Sequence, residues 1–190
     1  MDGNIVTTWV STDEPHRVTG LHFGESYTLT EIRAADGYAL ADNITFRLIQ
    51  KTDEGGNPLE ECEVYYLTTK NILFWKWDDW RLLDDATVIM RDDITKVQIS
   101  KKDLTTKEEL PGAELTLTDE KGNEIDRWVS TDAPHYMERL PAGKYTLTEV
   151  TAPDGYAIAE RVEFEVLPTG EVQTFETVSY TQLTLPTNSL

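Results

Sequence analysis

An all-β chain built from two related β-sandwich units is the fold class that this sequence predicts, on three observations. Short apolar–polar alternations recur at close spacing, separated by Gly, Pro and Asp turns. No segment shows sustained helical periodicity. The chain also repeats itself: residues 2–16 (DGNIVTTWVSTDEPH) match 121–135 (KGNEIDRWVSTDAPH), and 26–42 (SYTLTEIRAADGYALAD) match 144–160 (KYTLTEVTAPDGYAIAE). The two copies stay in step through Phe46 and Phe164.

The second copy is the cleaner. Residues 95–103 (TKVQISKKD) alternate like a half-buried strand, and TTKEELPG supplies a turn. AELTLTDEKGNEIDRWVS reads as two strands joined at Lys121-Gly122-Asn123, a hairpin signal. MERLPAGKYTLTEV gives another strand before the turn Ala152-Pro153-Asp154-Gly155, and RVEFEVLPTGEVQTFE reads as a closing hairpin with Gly170 at its tip. The first copy starts at the second hairpin of this plan, so its first strand and most of its second have no counterpart. After ITFRLIQ it is about twice as long, which predicts an inserted hairpin, a tryptophan-rich connection and a last strand over 86–92. The expected organisation is residues 1–94 as an N-terminally truncated sandwich with a Trp-rich insertion at 51–85, and 95–178 as a second sandwich lacking its native last-strand end. Residues 179–190 (SYTQLTLPTNSL) break the pattern and resemble translated sequencing-adapter read-through, so they are expected to be non-native.

Composition excludes several functions. The hydrophobic share of 39% supports packed cores, and no apolar run is long enough to span a bilayer. A net charge of -18, from 17 basic and 35 acidic residues, argues against nucleic acid and anionic membranes as partners. The single cysteine, Cys62, rules out an internal disulfide and a cysteine-based metal site. Met1 opens onto DGNIVTT with no charged and apolar leader, so an extracellular protein would need its signal outside this sequence.

The informative oddity is a carboxylate on the wrong face. Successive strand side chains point to opposite sides, so Tyr145, Leu147 and Glu149 share a face, as do Tyr27, Leu29 and Glu31. If Tyr and Leu face the core, the glutamate does too. By the same parity Val97, Ile99 and Lys101 face inward while Lys102 faces out.

ISKKD, then LPGAELTL, then LPAGKYTLTEVTAPDGY resembles the Cna-B type (SpaA-like, prealbumin-like) repeats of Gram-positive pilins and surface adhesins, over nearly all of the second copy and most of the first. The resemblance implies Ig-like sandwiches stabilised by an intramolecular isopeptide bond, in which a first-strand lysine joins an Asn or Asp on the last strand with help from a glutamate. It implies Lys101 as donor and Glu149 as assisting acid in the second unit, and Asp92 as acceptor with Glu31 assisting in the first. Each set is incomplete: the first lacks a lysine strand, for which Lys51 is a weak substitute, and the second has no Asn or Asp at its last strand, Glu176 being nearby. No self-formed bond is therefore expected in the second unit, and the first could react only with a lysine-bearing strand supplied from elsewhere. The resemblance further implies a structural stalk or pilin repeat on a Gram-positive cell surface, one that works without turnover catalysis or cofactor, has neighbouring repeats as partners, and reaches host or matrix proteins through other domains.

Plainer readings compete. Trp75, Trp77 and Trp80 could form a sugar-stacking platform, making the chain a carbohydrate-binding module of a secreted enzyme, though packing of the insertion onto its sheet is the commoner use. Asp78, Asp79, Asp84, Asp85, Asp92 and Asp93 have no calcium-loop spacing and read as acidic turns, with no metal expected. His16 and His135 recur in the TD-x-PH turn and read as turn residues. LPTNS at 185–189 lacks the pattern of a sortase signal. A small-ligand carrier of transthyretin type has no pocket signature here.

Overall fold

The computed structural model describes residues 3–72 and 75–181. Every regular element among them is a β-strand, and the chain divides into two compact units, 1–30 with 42–90 and 31–41 with 91–190.

In the first unit, β1 (Ser26–Leu29), β2 (Ile44–Thr52), β3 (Pro58–Ile72) and β4 (Trp75–Leu83) form one antiparallel sheet in chain order. The register places Phe46 beside Tyr66 and Leu48 beside Val64, so the alternating apolar residues collect on one face. The β2–β3 turn is held by Asp53, whose carboxylate accepts the backbone N–H groups of Gly55 and Asn57 at 2.9 and 2.8 Å.

Two expectations for this unit need correction. The tryptophan-rich stretch is itself strand β4 from Trp75 on, paired with β3 through cross-strand bonds such as Lys70 to Asp79 at 2.7 Å. Residues 86–92 form no strand: Asp85 accepts the Thr87 N–H at 3.0 Å in a turn, and among the described residues no strand pairs with 88–92. A strand needs a ladder partner, and in the second unit the last strand finds one in the first. The tryptophans also separate. Trp75 and Trp77 share one face and are exposed, at 77% and 42%, while Trp80 points to the other face, over which the Arg47 guanidinium lies 4.2 Å from its ring centroid.

Residues 3–23 form no strand either, although their counterparts 121–140 contain two. Those two pair with strands for which the first copy has no sequence match. The short-range geometry survives: Trp9 stacks on His16 at 4.3 Å as Trp128 stacks on His135 at 4.2 Å.

The second unit contains β5 (Lys96–Asp103), β6 (Glu114–Asp119), β7 (Glu124–Val129), β8 (His135–Glu138), β9 (Gly143–Thr151), β10 (Val162–Val166) and β11 (Val172–Ser179). These make two sheets, β10-β9-β6-β7 and β11-β5-β8, with Val97, Ile99, Leu115, Leu117, Leu147 and Val166 buried between them. The predicted β6–β7 hairpin forms, with Gly122 at φ 83° in its turn. The predicted closing hairpin does not, because β10 pairs with β9 and β11 with β5, so the Gly170 turn carries the chain from one sheet to the other. The Gln173 side chain clamps this crossing by bonding both the N–H and the carbonyl of Leu167. β11 runs parallel to β5, from Val172 beside Lys96 to Ser179 beside Asp103. Ser179, which breaks the repeat pattern in the sequence, nevertheless completes this strand, whereas 182–190, including LPTNS, lie outside the described residues.

Segment 31–41 falls within 1–94 by sequence but packs on the second unit. Ala39 N–H bonds to Asp93 at 2.9 Å, Leu40 N–H to Pro168 at 3.1 Å, and Thr95 N–H to the Gly37 carbonyl at 3.1 Å. Gly37 has φ 81°, and a Cβ there would lie 2.5 Å from the Arg139 carbonyl oxygen. Gly37→Ala therefore meets both backbone strain, on the order of 1–3 kcal/mol, and a collision with main chain. The expected outcome is faster hydrogen exchange at the Ala39 and Leu40 amides with the core of β5 and β9 unchanged.

Candidate functional site

The centre of the second unit holds two opposite charges. β5 is the middle strand of its sheet, and its alternation points Val97, Ile99 and Lys101 into the sandwich. β9 lies in the facing sheet and points Tyr145, Leu147 and Glu149 inward. Lys101 Nζ and Glu149 Oε2 meet at 3.0 Å, each side chain 1% exposed. Burial pushes the lysine pKa below its ordinary value, and the adjacent Glu149 carboxylate pulls the other way. The approach is near enough for an ion pair but off hydrogen-bond direction, so Lys101 Nζ and Glu149 Oε1 have no hydrogen-bond partner among the described residues.

Glu149 Oε2 is otherwise well held. It accepts the backbone N–H of Ala159, at the end of the DGYAIAE stretch, and the hydroxyl of Ser179 at 3.2 Å. Thr177 and Ser179 are the buried residues at the end of β11, and Thr177 is the register neighbour of Lys101. Amine, carboxylate and the last strand's inward side chain therefore converge on one oxygen atom. Glu176 faces outward and bonds Lys102, away from this group.

The repeat reproduces part of this geometry. Glu31 Oε2 accepts the N–H of Ala41 at 2.8 Å, as Glu149 accepts that of Ala159, but Glu31 follows the end of β1 and is half-buried. Asp92 is exposed and lies in irregular chain. Lys51 pairs with Glu61 at 3.2 Å on the surface of the first unit. No group of three or more metal-ligating side chains occurs among the described residues.

Sequence reasoning missed three members of the site. Asp103, two residues after Lys101 on the same face, is 7% exposed and accepts the Tyr156 hydroxyl at 2.6 Å and the N–H groups of Thr105 and Thr106. Tyr156 is the tyrosine of the D-G-Y turn, so that turn locks the end of β5. Parity alone could have found Asp103. Ser179 had no such signal, since its placement depends on the β11–β5 ladder.

Residues 95–181, which span every strand of the second unit, match the family model described as the SpaA prealbumin-like fold domain. No curated protein matches the chain. Among solved structures, the chain is similar to the shaft pilin SpaA of Lactobacillus rhamnosus GG (16% identity, 72% of this chain and 69% of that one, TM-score 0.41). It is also similar to GBS52, the minor pilin of Streptococcus agalactiae (17% identity, 78% and 64%, TM-score 0.42). A third similar structure is the Bacillus anthracis TIE protein (24% identity, 74% and 28%, TM-score 0.43).

The Tyr156 hydroxyl, followed by the Thr106 and Thr105 amides, holds the Asp103 carboxylate below its usual pKa. A carboxylate depressed in the folded state contributes stability above its unfolded pKa and loses it as pH falls through the folded value. Tyr156→Phe removes the largest cause, so acid unfolding followed by near-ultraviolet circular dichroism should begin at a higher pH than in the parent. An unchanged acid midpoint would show that the tyrosine does not set Asp103.

Proposed function

We propose that the chain is part of a stalk- or pilin-type protein of a Gram-positive cell surface, in which sandwich domains hold an adhesive region away from the wall. In this reading Lys101 and Glu149 are the machinery of a self-made isopeptide bond. The observation that carries it is the buried contact between the Lys101 amine and the Glu149 carboxylate at 3.0 Å, beside the last strand.

The chemistry needs what burial supplies. An amine attacks an acyl carbon only when unprotonated, and desolvation favours the neutral lysine. Glu149 takes the proton and passes it to the leaving group. Fixed placement in a dry core supplies effective molarities of about 10⁵ M or more. With an Asn on β11, the lysine nitrogen bonds to the side-chain carbonyl carbon, the carbon–nitrogen bond of the amide breaks, and ammonia leaves; with Asp, water leaves. The bond is made once, so the protein is no turnover enzyme. Closing a loop of roughly 80 residues contributes about 4–5 kcal/mol through the unfolded state. The larger effect is mechanical, because tension passes from β5 to β11 through a covalent link that reductants do not cut.

Ser179 occupies the inward position on β11 next to the pair and has no acyl carbon to attack, so the chain as it stands makes no such bond. For the first copy of the repeat, Asp92 as acceptor with Glu31 assisting has weaker support, since Asp92 is exposed. Ser179→Asn is the decisive variant. Its intact mass should fall by one ammonia, Ser179→Asp should lose one water, and Ser179→Asn with Glu149→Ala should keep full mass. A folded Ser179→Asn protein at full mass overturns the proposal.

The carbohydrate-binding reading has one observation in its favour, the exposed pair Trp75 and Trp77 on a single face. A stalk without a glycan site should show no saturable change in tryptophan fluorescence on titration with neutral oligosaccharides; saturation would favour the module instead.

A further inference from the structure

A small cavity in the second unit has the buried lysine among its lining residues. Its volume is about 110 Å³, and its walls include Ile99, Lys101, Glu109, Trp128, Ser130 and His135. Much of its wall comes from the end of β7, the start of β8 and the connection between them, and these are the edge strands of the two sheets. The His135 ring lies flat on Trp128, with 4.2 Å between centroids and 9° between planes, and Nε2 lies 2.8 Å from Asp126 Oδ2. His135 is thus held in place by two residues of β7.

The lysine gives the cavity a use. Lys101 is almost wholly buried, yet its Nζ has no hydrogen-bond partner among the described residues. Lys101 is itself a lining residue of the cavity, whose volume admits several water molecules. A buried amine that must shed a proton cannot do so through close-packed core. Glu109 on the cavity wall gives a proton a carboxylate to reach outside the pair.

We propose that this cavity is the solvent route of Lys101, carrying its proton outward, and that His135, seated on Trp128 and Asp126, is the gate at its mouth. His135 is a positioning residue here; it does not touch the reacting atoms. The inference rests on the isopeptide reading for its purpose, but its test uses the chain without any bond formation.

Cyanate is small enough to pass such a channel and carbamylates only neutral amines. Peptide mapping after cyanate treatment should find Lys101 carbamylated more than about tenfold faster in His135→Ala than in the parent, as expected when access no longer requires local opening. The exposed Lys121 and Lys144 should react at unchanged rates. His135→Phe, which restores a flat ring on Trp128, should return Lys101 to the parental rate. A bulky amine reagent, trinitrobenzenesulfonate, should remain excluded from Lys101 in all three proteins. Equal cyanate rates in parent and His135→Ala overturn the gate, and reaction of Lys101 with the bulky reagent in His135→Ala overturns it too, by revealing general loosening. Failure of Ser179→Asn to lose ammonia would sink the isopeptide reading while leaving these rates as they are.

Discussion

The second unit is arranged around an ion pair that stability alone does not explain. Removing a lysine and a glutamate from water costs several kcal/mol each, and apolar residues of similar volume often serve a core equally well or better. Here the pair lies between two sheets packed with Val, Ile and Leu, with one donor and one acceptor atom lacking a partner among the described residues. Such a centre is costly to keep. The isopeptide chemistry proposed for the lysine would give it a reason that packing does not.

Everything near the pair serves to place it. β5 carries the lysine because it is the middle strand, with β8 on one side and β11 on the other. The β9 glutamate is fixed by the backbone N–H of Ala159 and the hydroxyl of Ser179, while the D-G-Y turn fixes the end of β5 through Tyr156 and Asp103. The TE-x-x-x-P-D-G-Y stretch therefore acts twice, once through its glutamate and once through its tyrosine. The parallel β11–β5 ladder brings the first and last strands of the domain side by side.

The first copy of the repeat shows which features are local and which are not. Its Trp9–His16 stack matches that of the second copy although neither residue lies in a strand, and Glu31 finds the Ala41 N–H as Glu149 finds that of Ala159. These are short-range arrangements written within a dozen residues. Strands are different, because a ladder needs a neighbour. Residues 3–23 and 86–92 carry strand-like sequence yet form none, and Asp92 stays in solvent with no first strand beside it.

By itself the sequence determined the all-β class, the internal repeat, the β6–β7 hairpin and the inward parity of Lys101 and Glu149. All of these come from period-two alternation and turn chemistry, which act between residues close in the chain. Tertiary structure decided that β10 and β11 belong to different sheets, that β4 takes in the tryptophans, that segment 31–41 packs with the second unit, and that Ser179 meets the pair. Those outcomes depend on which distant strand offers free N–H and C=O groups and which surface is left to bury. No local pattern encodes that competition, because it is settled between segments far apart in sequence.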